Sequence, residues 1–494
     1  MENIRRPAAH GALGIGGDAR ATFFALASLL VLVFFMGGGA RSDIISLVIL
    51  RPVAILLLGY GLWTLRWERV RAYRYLFMIA AAMVVVTLLQ LVPLPPALWS
   101  MLPGHGFIAE IDRAAGLGPV WRPLNVAPPD GWNSFFAMLV PLTFLVLGAQ
   151  IPTEQRSKLV PVMVVLALVS AVLALLQIVG PPDGPLYFYR VTNSGSAVGL
   201  FANRNHQAVL LAATFPLLAV FASMPRNPRD YIARRVLALG AGMFLIPLIF
   251  ITGSRAGLLV GIVGIASVLL LYRPGVAEAV APRDAGHGKA RRSGGPVGLT
   301  RSWRQWAIGG GVAVLGLALS VVTIVLGRGE AFQRILEQDS ENETRFKAWT
   351  VIVRLVGDYF PFGSGMGSFV EVFETAEPRE LLDATYLNHA HNDWLEVLLT
   401  GGLAGMALLL FACVLVAVRA FRLLPRGKAV DKPVLFSRLG LVLVLQFAIA
   451  SLGDYPLRTP ALGSLFVLAA LWAATPLRGG GDLLTRGKTS RMAK

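Results

Sequence analysis

Long apolar runs leave this chain few choices of fold. Twelve of them recur, at 21–37, 44–63, 75–94, 132–149, 159–180, 207–223, 236–252, 256–272, 305–327, 394–418, 434–453 and 461–476. Charges or Pro/Gly clusters bound each one. About 20 apolar residues make a helix that crosses a bilayer. In lipid, a helix satisfies all its own backbone groups, which an open strand cannot do. Composition agrees: 55% of the residues are hydrophobic and 15% charged, against about 25% charged in soluble domains. The sequence therefore predicts an all-α integral membrane protein with about twelve transmembrane helices. The second run is the weakest, because Arg51 and Pro52 interrupt it. The first is read as a span and not as a signal peptide, since no small-residue cleavage site follows it and more spans do.

A formal charge of +17 raises nucleic acid as a partner, but the charge distribution excludes that reading. Lys and Arg gather in alternate loops, in "LRWERVRAYR", "PRNPRDYIARR", "RAFRLLPRGK" and the tail "RGKTSRMAK". This is the positive-inside pattern, with both termini cytoplasmic. The basic faces then meet anionic membrane lipids. The single cysteine, Cys413, rules out a disulfide framework or a cysteine metal site, and is expected to be a small packing residue.

The chain reads as one polytopic membrane domain, 1–494. Three sizeable segments fall on the outer side: 95–131, 181–206 and 328–393. The last, between spans 9 and 10, has helix-like spacing at Phe332, Ile335 and Leu336 and at Phe346, Trp349, Ile352 and Val353. "DYFPFGSGMGSF" then breaks it by turn chemistry. It is expected to be a small periplasmic helical cap. The Gly/Ala/Arg-rich stretch 275–298 is expected to be a disordered cytoplasmic linker.

Ionisable groups at span ends facing one compartment are functional candidates, because unpaired charge in lipid is costly. On this topology Arg204, Arg255, Arg345, His391, Asp454 and Arg458 all face outward, from separate parts of the chain. Arg255 is held close to the membrane surface by the tight link "TGSR", and an outward arginine opposes the orienting rule, so it is a candidate anion binder. For Arg345 the plain alternative is a solvated helix face. For His391 it is a helix-terminal histidine, with Asn392 or Asp393 as the cap. Asp454 and Arg458 form a local pair in the plain reading. His389, His391 and His206 with Asp393 make a weak metal pattern, and no metal site is assigned. Gly401, Gly402 and Gly405 are read as allowing close helix packing.

Four elements in order resemble the O-antigen ligase-like family of multi-span glycosyltransferases, which includes O-antigen and exopolysaccharide polymerases. They are "GLFANRNHQAVLLAA", "ITGSRAGLLVGIVG", "RFKAWTVIVRLVGDYFPFGSGMGSF" and "AHNDWLEVLLTGGLAG", covering 199–405 as the family-related core. Ala256 departs from the glycine found in many members. The resemblance implies a GT-C-like helical fold in the bacterial inner membrane, with the active site facing the periplasm. The donor it implies is a glycan on undecaprenyl diphosphate, and the acceptor a glycan or lipid A-core. It also implies chemistry without metal or cofactor, with Arg255, Arg345 and His391 catalytic. Arg204, Asn392, Arg458 and His389 are candidates for substrate binding. Two arginines would stabilise the departing diphosphate, and His391 would take the acceptor proton or orient the hydroxyl. Polymerase and ligase are not separated by these motifs. A flippase or other transporter is the competing class, and would need charges lining a path inside the spans.

Overall fold

The computed structural model describes residues 19–224, 230–273, 339–382, 386–423 and 431–477, with the single positions 311 and 318. The run 305–327, the linker 275–298 and the helix-like spacing at 332–336 lie outside the described residues. Each of the other eleven apolar runs contains one principal helix. These are α1 (Ala19–Met36), α2 (Leu47–Trp63), α3 (Arg74–Gln90), α4 (Pro128–Gln150), α5 (Leu159–Val179), α6 (Arg204–Ser223), α7 (Asp230–Ile251) and α8 (Arg255–Leu271), then α10 (Asp393–Leu423), α11 (Lys432–Ala450) and α12 (Pro460–Ala473). Before α10 comes α9 (Asp339–Tyr359). Among the described residues, seven helices are long and apolar enough to cross a membrane, and α2, α3, α8 and α12 are shorter apolar helices. Arg51 and Pro52 do not end α2. Arg51 instead donates from Nη2 to Asn133 Oδ1 on α4 at 2.6 Å.

The bundle is built around α6, which is buried along almost its whole length. A helix apolar on every side belongs in a core. Small residues let its neighbour close in: a Cβ at Gly257 of α8 would collide with the Ala208 side chain, and one at Gly264 would lie 2.6 Å from Ala212 O. Gln446 of α11 ties the pair, donating from Nε2 to Ala212 O at 3.0 Å and Val260 O at 3.1 Å. Cys413 lies exposed on α10, a surface position and not the packing position expected of it. The two-residue strands Pro93–Leu94 and Arg122–Pro123 pair antiparallel in the segment before α4.

A second, smaller core lies beside the bundle. Ala348, Ile352, Leu355 and Tyr359 of α9 pack with Phe369, Val372, Phe373, Leu381, Ala390 and Leu399. Of the stripe read from the sequence, Ile352 lies in this core and Trp349 packs against it, whereas Phe346 and Val353 do not. Phe346 is 64% and Val353 57% exposed, because the face set by Ala348 and Ile352 turns inward.

The glycine pair of α10 also differs from expectation. Gly402, at φ 53° and ψ −142°, breaks the helix. The loop after α9 fills the break: Ser364 N donates to Leu399 O at 2.9 Å, Gly365 N to Thr400 O at 3.0 Å, and Leu403 N to Pro361 O at 2.8 Å. Gln90 of α3 completes it, donating to Thr400 O and accepting from Met366 N. Irregular backbone in a membrane protein persists where protein supplies its partners. Gly402 thus serves a helix break, not close helix packing.

Candidate active site at one end of the bundle

The segment leading into α10 is fixed by local polar contacts. Asn392 Oδ1 accepts from the amides of Trp394 at 3.1 Å and Leu395 at 3.2 Å, so this side chain caps the helix. His389 Nδ1 lies 2.9 Å from Glu396 Oε1, and Ala390 N donates to Glu396 Oε2. Trp349 of α9 reaches across to donate to Ala390 O at 2.9 Å.

Arg458 closes this network. It donates from Nε to Asp393 Oδ1 at 2.8 Å and sits 3.4 Å from Glu396 through Nη2. Asp393 also accepts from Ser451 Oγ. Burial works against the charge of Arg458, but the two carboxylates outweigh it and raise its pKa. Arg458 does not pair with Asp454, as the four-residue spacing had suggested. The turn Pro456–Arg458 directs it to α10 instead.

Asp454 faces the other way. Its Oδ1 lies 3.2 Å from His391 Nδ1, within ion-pair reach but without hydrogen-bond alignment, and its Oδ2 lies 4.0 Å from His206 Nε2. Burial pushes the Asp454 carboxyl up, yet His391, His206 and Arg345 outweigh that and hold it below the usual carboxylate range. His391 has φ 48°, the one positive φ outside glycine among the described residues. A non-glycine residue held there costs of order 1–3 kcal/mol, and such residues cluster at functional sites. Its side chain is 19% exposed while Asp454 is buried. The Tyr455 ring stands against three imidazoles, with centroids 4.5 Å from His389, 4.9 Å from His391 and 5.1 Å from His206. Its hydroxyl donates to Asn388 Oδ1 at 3.3 Å, and burial, with the Asp454 charge, pushes its pKa up.

The arginines come to the same turn from two sides. Arg345 Nη1 donates to Gly453 O at 3.4 Å. Gly453 also rests on the first turn of α8, where a Cβ on it would meet the Ala256 side chain at 3.9 Å. Arg255 opens that helix with its side chain exposed, behind the Ser254 cap. Arg204 opens α6, two residues before His206, and its amide donates to Asn193 Oδ1 at 3.0 Å.

Of the sequence candidates, then, His391 and Arg345 meet at the Gly453–Asp454 turn, with the start of Arg255's helix against it. His389 and Arg458 belong to the adjoining charge network, and Asn392 is a cap. Sequence reading passed over Asp454 as a partner of His391, and Tyr455 altogether. An acidic residue in "LGDYP", wedged between two apolar runs, was the available signal.

Residues 240–410 match the family model described as O-antigen ligase. That span holds Arg255, Arg345, His389 and His391, and ends before Asp454. No curated protein matches the chain. Over that span the chain is similar to the O-antigen ligase family.

Proposed function

We propose that the protein transfers a glycan from a polyprenyl-diphosphate donor to an acceptor hydroxyl, at the periplasmic face of the bacterial inner membrane. The observation that carries this reading is the meeting of His391, Asp454 and Arg345 at one turn, against the helix that Arg255 opens. The acceptor oxygen attacks the anomeric carbon as the bond from that carbon to the diphosphate oxygen breaks. The leaving diphosphate keeps the electron pair. Arg345 and Arg255 bind it, since guanidinium stays charged and grips phosphate oxygens in bidentate fashion.

His391 Nε2 takes the acceptor proton. Asp454 faces Nδ1, which favours the tautomer with Nδ1 protonated and Nε2 free, and stabilises the imidazolium that forms. Histidine with an orienting carboxylate is a recurrent general base. The strained φ at His391 fits a residue held for chemistry and not for packing.

The description of the matching family model, O-antigen ligase, favours ligase-like transfer in cell-surface polysaccharide synthesis, with a polymerase of the same family as the alternative. The test is a gel of lipid-linked and surface glycans from cells with no copy, the native copy or the His391→Ala copy. Loss of surface polymer, with long chains left on the lipid carrier, is the expected result. Single repeat units on the carrier would make the enzyme a polymerase. An unchanged pattern for His391→Ala, with the null strain defective, would sink the reading.

A further inference from the structure

The proposed chemistry gives no role to His206. His206 is buried at the start of the central helix α6, and neither ring nitrogen has a hydrogen-bond partner among the described residues. Phe201 and Tyr455 stand edge-on to its ring, and the carboxylate near it is Asp454, at 4.0 Å. An unpartnered buried polar group costs about 1–3 kcal/mol, so its retention calls for a reason. Both Asp454 oxygens are likewise without a well-formed hydrogen bond. The carboxylate thus has an imidazole at each end: His391 toward the open side and His206 toward the core.

We infer that His206 is a positioning residue acting through Asp454, its imidazole N–H holding the inner oxygen so that the outer oxygen stays ionised and aimed at His391 Nδ1. This rests on the reading of His391 as the base. An inward shift of about an ångström brings the 4.0 Å pair to hydrogen-bond distance. His206 neither gains nor loses a proton in the reaction. Without its donor, the inner oxygen of a buried carboxylate is left against an aromatic wall. The group then takes up a proton more readily, and the charge facing His391 is lost. The charged and titratable groups around Asp454 and His206 are His391 and His389 from the segment before α10, Arg345 from α9 and Tyr455.

The test uses the full chain in isolated membranes of the producing strain, with their own lipid-linked glycan as donor. Polymer formation is followed from pH 5 to 9 for His206→Leu, His206→Asn, Asp454→Asn, the double variant Asp454→Asn/His206→Leu and His391→Ala. His206→Leu is expected to slow transfer about tenfold and to move the acid limb to higher pH. His206→Asn, which keeps an N–H donor but cannot carry charge, restores both. The double variant is no slower than Asp454→Asn alone, because His206 acts through that carboxylate. A wild-type rate and acid limb for His206→Leu would overturn the proposal. So would His206→Asn as slow as His206→Leu with a normal elution profile, or a double variant slower than Asp454→Asn. Full activity of His391→Ala would instead remove the base on which the proposal rests, and so separates the two failures.

Discussion

Two charge clusters adjoin at the start of α10, and they are built to opposite rules. In one, Arg458 meets Asp393 and Glu396, Glu396 meets His389, and hydrogen bonds from Ser451 and Ala390 complete the set. In the other, Asp454 is buried between two histidines with neither oxygen in a well-formed hydrogen bond, and His391 is partly open and strained. Buried charges that only brace a structure are matched and saturated, because a loose end is costly. A reactive group keeps an open position for what it acts on. The same few residues of chain, His389 to Glu396, serve both clusters, so neighbouring histidines differ in task.

The comparison breaks most clearly at His391. His391→Ala should cost about 10²–10⁴-fold in transfer rate while the purified protein elutes and melts as the wild type does. The Arg458 cluster should answer in the opposite way. Arg458→Leu leaves two buried carboxylates facing each other, and breaking such a pair costs about 3–5 kcal/mol. Thermal unfolding in detergent should show it as a large drop in Tm or a loss of folded protein. A Tm drop for His391→Ala with normal turnover would invert the assignment of the two clusters.

Gly402→Ala probes the support beneath both. Its φ of 53° with ψ −142° suits glycine alone, and an added Cβ would collide with Pro361 O. A cost of order 1–3 kcal/mol is expected, read as a lower Tm.

The smallest effect is on pH dependence. The Asp454 pKa is lowered on folding, so the native protein binds this proton less readily than the unfolded chain. The stabilisation is complete above the unfolded carboxyl range, near pH 4. It is lost as pH falls toward the lower folded value. Asp454→Asn should therefore flatten the decline of Tm with acidity below about pH 5.

Much of this architecture was legible in the sequence because it is driven by length and hydropathy. Eleven of the twelve apolar runs lie in helices of the described residues, and Arg345 and His391, which the expected topology puts on one side, lie at one turn. What stayed hidden depends on partners far along the chain. Asp454 and Arg458 look like a local pair at spacing four, until the Pro456 turn sends them to different neighbours. Gly401 and Gly402 look like a packing surface until the loop 361–366 supplies hydrogen bonds to an opened helix. On α9, Ile352 faces the second core and Trp349 packs against it as the spacing predicts, but Phe346 and Val353, though apolar, stay exposed because Ala348 and Leu355 fill that face.

Asp454→Asn is the most direct test that the unsaturated cluster is the reactive one. It keeps the volume of the side chain and removes the charge that faces His391. Surface and carrier-linked glycans would be compared by gel in cells holding wild-type or Asp454→Asn protein at equal membrane levels. The account predicts that surface polymer falls sharply and carrier-linked glycan accumulates. A wild-type glycan pattern would contradict it.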